Sequence, residues 1–131
     1  MTEKIAVLGA GSWGSILAGV LDENKNEVWL WTNKEAKELN ENHTNEHYIP
    51  GHKYSETIKA TTNLKEAVDG ASAVLFVVPT KVIRLVAQQL VEVLKELGQK
   101  PLIIHASKGL ELGSHKRISE VIEEEIPSEY R

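Results

Sequence analysis

The stretch Ile5-Ala6-Val7-Leu8-Gly9-Ala10-Gly11-Ser12-Trp13-Gly14 decides the fold. Ile5 to Leu8 is a short, wholly apolar run, the pattern of a strand buried on both faces. Gly9, Gly11 and Gly14 follow at G-x-G-x-x-G spacing, and Ile16, Leu17, Val20 and Leu21 then recur with helical period. Each glycine has a physical reason. Gly9 permits a tight turn out of the strand. Gly11 has no side chain, so a pyrophosphate can approach the backbone. Gly14 lets the helix pack close to the strand. The free N–H groups at the helix N-terminus would face the phosphate oxygens, with the helix dipole behind them. Such a turn alone is weak evidence; a strand before it and an amphipathic helix after it supply the confirming context.

Outward from that turn, composition sets the bounds. The 131 residues suit one domain, with enough chain for a core. A net charge of -4 argues against a dedicated nucleic-acid binder. With no cysteine there is neither a disulfide nor a thiolate metal site. The longest strongly apolar run, Ala73 to Val78, is too short to span a bilayer. The N-terminus enters a strand almost at once, leaving no room for a signal peptide. A soluble, cytoplasmic protein is the expectation.

Lys25-Asn26 turns the chain into a second strand, Glu27 to Trp31. Val28 and Leu30 are expected on one side of the sheet and Trp29 and Trp31 on the other, both tryptophans as core. The end of this strand bears on cofactor choice, because an NAD-specific site places Asp or Glu there for the ribose hydroxyls. This chain has Thr32-Asn33-Lys34. An amide and a cation suit a 2′-phosphate better, although Lys34 reads equally well as a solvated residue.

Lys34 to Asn42 reads as a short helix and His43 to Thr57 as a polar loop containing Tyr48-Ile49-Pro50-Gly51. His43, His47 and His52 lack ligand spacing, so no metal is expected. Ile58 to Thr62 reads as a third strand. Asn63 is expected to cap a helix from Leu64 to Asp69, with Glu66 as its capping-box partner and Gly70 as the stop. Ala73 to Val78 is the fourth strand, ended by Pro79. Thr80 is expected to cap a long helix with Val82, Ile83, Val86, Leu90, Val93, Leu94 and Leu97 inward, ended by Gly98. Pro101 to His105 is the fifth strand, leading into Ala106-Ser107-Lys108-Gly109-Leu110. A last helix is expected from about Ser114, with Ile118, Val121 and Ile122 inward and Pro127 as its end.

The alternation βαβαβαβαβα implies an α/β, doubly wound parallel sheet with right-handed crossovers and helices on both faces. Strand order 3-2-1-4-5 is the natural choice, and ligand is expected beyond the carboxyl ends of strands 1 and 4, where the order reverses. That crevice would collect Ser12, Trp13, Asn33, Lys34, Pro79 and Lys108.

Gly9-Ala10-Gly11-Ser12-Trp13-Gly14, Tyr48-Ile49-Pro50, Val77-Val78-Pro79 and Ser107-Lys108-Gly109, in this order and spacing, resemble bacterial NAD(P)-dependent glycerol-3-phosphate dehydrogenase. The resemblance covers essentially the whole chain. It implies a Rossmann fold, NADPH or NADH as cofactor, and reversible reduction of dihydroxyacetone phosphate, a phosphorylated triose, to sn-glycerol 3-phosphate for phospholipid synthesis. Ser12 and Trp13 match the family's pyrophosphate-turn contacts. Asn33 and Lys34 match its adenosine-side positions, Asn33 as a mild departure from the usual His or Arg. Tyr48 falls in a segment with a cofactor contact. Lys108 matches a lysine that touches cofactor and substrate, which makes it the catalytic and substrate-binding candidate. The resemblance also implies that residues 1–131 are the nucleotide-binding domain and that the family's helical substrate domain, with its second catalytic lysine, is absent from this sequence. The chain alone is therefore expected to be inactive and to self-associate, as a dimer, through an open sheet edge.

From the residues alone, Lys108 is open between two roles. It is either an ammonium that stabilises a developing alkoxide and attracts a phosphate, or a solvated lysine in a Gly-containing turn. Ser107 with His105 lacks an orienting acid and makes no triad. Lys81, Arg84 and the run Glu123-Glu124-Glu125 read as solvated. Two other functions share the same pocket: the cofactor domain of a ketopantoate reductase-like enzyme, and a non-catalytic nucleotide-sensing module.

Overall fold

The computed structural model describes residues 3–9, 17–21, 26–32, 41, 44–45, 49–53, 58–106 and 109–131. Five strands form one parallel sheet: β1 (Lys4–Leu8), β2 (Glu27–Trp31), β5 (Lys59–Thr61), β6 (Ala73–Phe76) and β7 (Leu102–His105), in the order β5-β2-β1-β6-β7. This is the 3-2-1-4-5 order expected from the alternation. Its register is Ile5 beside Val28 and Ala73, and Leu8 beside Trp31 and Phe76. The described helices are α1 (residues 17–21), α2 (Leu64–Val68), α3 (Ile83–Leu97) and α4 (Ile118–Glu125).

The sheet separates two apolar clusters, because consecutive strand residues point to opposite faces. Ala6, Leu8, Val74 and Phe76 face α3 and α4, where Ile83, Val86, Leu90, Leu94, Ile118, Val121, Ile122 and Ile126 close over them. Val7, Val28, Leu30, Ala60 and Leu75 face the other way and pack with Ala18, Leu17 and Leu21 of α1. Ala6, Val7 and Leu8 are fully buried, as a strand covered on both sides requires. Of the apolar residues that recur with helical period, Val20 is 48% exposed, while Ala18 is fully buried.

Several boundaries differ from the sequence reading, each for a local reason. Within the stretch read as a polar loop, β3 (Thr44–Asn45) and β4 (Ile49–Lys53) form a two-stranded antiparallel ribbon. Thr80 is not an α-helical N-cap. It opens a 3-10 turn, Thr80–Val82, behind Pro79, and α3 starts at Ile83. The capping box at α2 is half formed. Asn63 Oδ1 accepts from the Glu66 N–H at 3.2 Å, while the Asn63 N–H donates to Thr61 Oγ1 at 3.0 Å rather than to Glu66. The last helix begins at Ile118, not Ser114, because residues 110–117 fold back on themselves first. Gly98 ends α3 as expected, its N–H returning to the Leu94 carbonyl at 2.8 Å.

The tryptophans differ from one another. Trp31 packs against the α3/α4 core and donates its indole N–H to the Thr62 carbonyl at 3.1 Å. Trp29 is half-buried. Its indole N–H goes to Glu27, and the Lys4 ammonium lies 4.8 Å above its ring. That ammonium also donates to the Glu66 and Asp69 carbonyls, so a cation sits at the carboxyl end of α2, where the helix dipole favours it.

Candidate functional site

A parallel sheet places all its strand carboxyl ends on one edge. There the described residues converge at the point where strand order reverses, between β1 and β6. The Gly9 N–H donates to the Trp31 carbonyl at 2.9 Å, and the Val77 N–H to the Leu8 carbonyl at 3.0 Å. The Ala106 N–H donates to the Phe76 carbonyl at 2.9 Å, and the Thr32 N–H to the Thr61 carbonyl at 3.0 Å. The ends of all five strands are thereby stitched into one rim.

Gly9 is the tightest point of this rim. Its φ is +123°, and a Cβ there would lie 3.1 Å from the Val77 carbonyl carbon and from the Val78 nitrogen. Only a residue without a side chain lets the β1 turn lie so close to the end of β6. Pro79, three residues past the end of β6, is exposed, with φ −55° and ψ 145°.

Of the sequence-derived site residues, Gly9 and Pro79 stand on this rim. Gly11, Ser12, Trp13, Gly14, Asn33, Lys34, Tyr48 and Lys108 lie outside the described residues. Their flanks are placed. Gly9 precedes the Gly-rich turn, Thr32 precedes Asn33 and Lys34, and Ala106 precedes Ser107 and Lys108, and all three lie at the rim just described. Thr32, 95% buried by its 5% exposure, ends β2 without a carboxylate. Among the described residues there is no group of His, Asp and Glu able to hold a metal, and no helix long and apolar enough to cross a membrane.

An ionic cluster just behind the rim escaped the sequence reading. Arg84, in the first turn of α3, was read as solvated. Its Nε and Nη2 donate to Glu111 Oε2 and Oε1, both at 2.8 Å. Nη1 donates to Glu125 Oε2 at 2.6 Å, and Nη2 also reaches Glu124 Oε1 at 2.9 Å. Glu124 further pairs with Lys116. Two of the three glutamates read as a solvated run are thus engaged, while Glu123 is exposed. Hydrogen bonds from Arg84, and then from Ser114, bring the Glu111 carboxyl down to about 2, so it stays ionised near neutrality. The same carboxylates raise the Arg84 guanidinium further above its ordinary range. No spacing rule would have found this cluster, because its partners lie 27 to 41 residues apart in sequence.

Comparison with known proteins bears on this geometry directly. Residues 4–131 match the family described as NAD-dependent glycerol-3-phosphate dehydrogenase N-terminus. The whole chain aligns at 98% identity with 39% of a glycerol-3-phosphate dehydrogenase [NAD(P)+] of Ligilactobacillus salivarius, and at 69% with 39% of its counterpart in Pediococcus pentosaceus. The chain thus spans about two fifths of the length of these relatives. The crystal structure of glycerol-3-phosphate dehydrogenase from Coxiella burnetii superposes with a TM-score of 0.83 at 34% identity, over 95% of this chain and 38% of that one.

Proposed function

Since the chain belongs to the family of N-terminal domains of NAD-dependent glycerol-3-phosphate dehydrogenase, we propose that it is the cofactor-binding domain of an oxidoreductase. That enzyme would interconvert dihydroxyacetone phosphate and sn-glycerol 3-phosphate with NADPH or NADH, and so supply glycerol 3-phosphate for phospholipid synthesis in the cytoplasm. The observation that carries the reading is the rim at the β1/β6 switch point, where Gly9 lets backbone meet backbone.

The residues fit a dinucleotide. Gly9, Gly11 and Gly14 let its pyrophosphate approach the turn, where Ser12 and Trp13 contact it. Asn33 and Lys34, following the carboxylate-free end of β2, take the adenosine ribose. By the resemblance, Tyr48 and Pro79 add further contacts to the cofactor. Bound NAD(P)H supplies the reducing equivalents. Lys108, the catalytic candidate, then holds an ammonium beside the substrate carbonyl, where it stabilises charge growing on the oxygen and attracts the substrate phosphate. Removing one such donor typically costs about 10²–10³ in rate. The helical substrate domain of the family would complete and close the site, so residues 1–131 bind cofactor without turning over substrate.

Titration of this chain with both cofactors tests the reading. NADPH should bind at least as tightly as NADH, by about tenfold or less, as a solvent-screened contact from a lysine to the 2′-phosphate would give. Salt should narrow the gap. Clearly tighter NADH binding, or a preference unmoved by Asn33→Asp with Lys34→Ala, would refute the assignment of the β2 end. Addition of dihydroxyacetone phosphate should give no steady NADPH oxidation. The β7 edge, with Leu102 64% and Ile104 43% exposed, supports self-association as a dimer, which light scattering at high concentration would detect.

A further inference from the structure

The segment between β7 and α4 folds back on itself before the last helix begins. Leu110 pairs with Arg117 across an antiparallel bridge, and the Glu111 N–H donates to the Lys116 carbonyl at 2.9 Å. The His115 N–H returns to the Glu111 carbonyl at 2.9 Å, and Ser114 Oγ donates to Glu111 Oε1 at 2.5 Å. These bonds give residues 110–117 an internal frame, that of a small hairpin. Gly113, with φ +91°, and His115, with φ +60°, turn its tip.

The ties from this hairpin to the body of the fold are of another kind. Among the described residues, none of 110–117 belongs to either apolar cluster, and Leu110 and Leu112 are both exposed. Two ionic ties reach beyond its base. Glu111 takes the fork from Arg84 in the first turn of α3, and Lys116 pairs with Glu124 in the last turn of α4. All four side chains are partly exposed, so water and salt reach both ties. The chain on either side of the hairpin is fixed. The Ala106 N–H is bonded to the Phe76 carbonyl, and Ile118 is buried in the core. Arg117 is tied to Glu120 in the first turn of α4. Just outside the base, Gly109 has φ +87°, and a Cβ there would meet nothing within 4 Å, so this residue can change its dihedrals without collision.

We propose that residues 110–117 are a charge-latched flap. The hairpin swings as one body about its Leu110–Arg117 base when the Arg84–Glu111 and Lys116–Glu124 pairs part, while the sheet, α3 and α4 stay folded. A segment with few apolar contacts and exposed backbone lies at the low-stability end of a fold, and its opening is governed by whatever ties it down. Here the ties are ionic, so ionic strength sets the balance between latched and open. Arg84 keeps a second grip, on Glu124 and Glu125, so α3 and α4 remain joined when Glu111 is released. The flap is independent of any ligand at the rim.

The sequence has no cysteine, so introduced thiols carry spin labels at chosen places only. Labels at Leu112→Cys on the hairpin and at Gln89→Cys, an exposed position of α3, report the hairpin's position by double electron–electron resonance. At low salt one narrow distance is expected. In about 1 M salt, where the screening length falls to about 3 Å, a second distance should grow in, its population raised about tenfold. Glu111→Gln combined with Lys116→Met should raise it as much without salt. Hydrogen exchange is the second readout: the Glu111 and His115 amides should stay protected in the unlatched state, because the hairpin keeps its internal bonds. Circular dichroism checks that the helices persist. Should the double variant fail to fold, the salt titration carries the test. A distance distribution unmoved by salt and by the substitutions overturns the proposal. Free exchange at the Glu111 and His115 amides on unlatching also overturns it, since the hairpin would then unravel and not swing.

Discussion

Two turns at the same edge of the sheet are built by different physics. At the end of β1, Gly9 is fixed by backbone contacts. Gly9 hydrogen-bonds to Trp31, and its α-carbon lies so close to Val77 and Val78 that no Cβ fits without displacement. The turn after β7 also passes through a glycine with positive φ, Gly109 at +87°, but a Cβ there would meet nothing within 4 Å. What holds that loop is charge: the Arg84 fork on Glu111 and the Lys116 pair with Glu124. The first turn is specified by exclusion of atoms and the second by charge. The first should therefore tolerate almost no substitution and be indifferent to pH, whereas the second should tolerate side chains and respond to acid.

The largest expected effect breaks the tight turn. Gly9→Ala combines a backbone conformation that side chains rarely adopt with a clash against β6, each costing about 1–3 kcal/mol. Urea unfolding should show a loss of about 3 kcal/mol or more, together with loss of NADPH binding. A variant within about 1 kcal/mol of the parent would mean that the β6 backbone yields easily and that the contrast is false.

Gly109→Ala should cost less, about 1–2 kcal/mol, because only the left-handed backbone is penalised and no atom is displaced. Equal costs for the two alanines would show that conformation, not close approach, governs both turns.

Acid sharpens the other half of the comparison. The folded Glu111 carboxyl is held at about 2 by hydrogen bonds from Arg84 and Ser114. An unfolded glutamate titrates near 4.3 (about). A group whose folded value is the lower one contributes stability above its unfolded value and loses it as pH falls through the folded one. The melting temperature of the parent should therefore drop more steeply than that of Glu111→Gln as pH falls from about 4.3 towards 2. Parallel curves would remove Glu111 from the acid response.

The smallest expected effect is at Leu112, whose side chain is 85% exposed. Leu112→Gln should shift stability by no more than about 0.5 kcal/mol, as for surface changes generally. A larger loss in thermal melts would mean that apolar contacts, and not the ion pairs, hold the β7–α4 loop.

Much of the scaffold was legible before any coordinates. The apolar run Ile5 to Leu8, the alternation of strand and helix, and the inward stripe from Ile83 to Leu94 are local periodicities, and a two-layer covering of a parallel sheet follows from them. The order 3-2-1-4-5 follows because short crossovers of one hand leave few arrangements. The Gly-rich turn was legible because its spacing encodes a steric requirement within a few residues of chain.

What only the tertiary structure decided lies at long range or at element ends. Arg84 and Glu124 each look solvated in sequence, because a charge run or a helical arginine carries no local sign of its partner; folding brings α3, the 110–117 loop and α4 together. The same holds for Trp29, read as core, which is half-buried with its indole on Glu27 and its ring under the Lys4 ammonium. Thr80 loses its cap role because Pro79 sends the chain into a 3-10 turn first, and the start of α4 slips to Ile118 because Glu111 and its neighbours close a loop ahead of it. Periodicity is a property of neighbouring residues, so the sequence determined the elements and the faces they bury. Pairing between distant charges depends on which elements meet, and that was settled only when the sheet was assembled and its helices were laid across it.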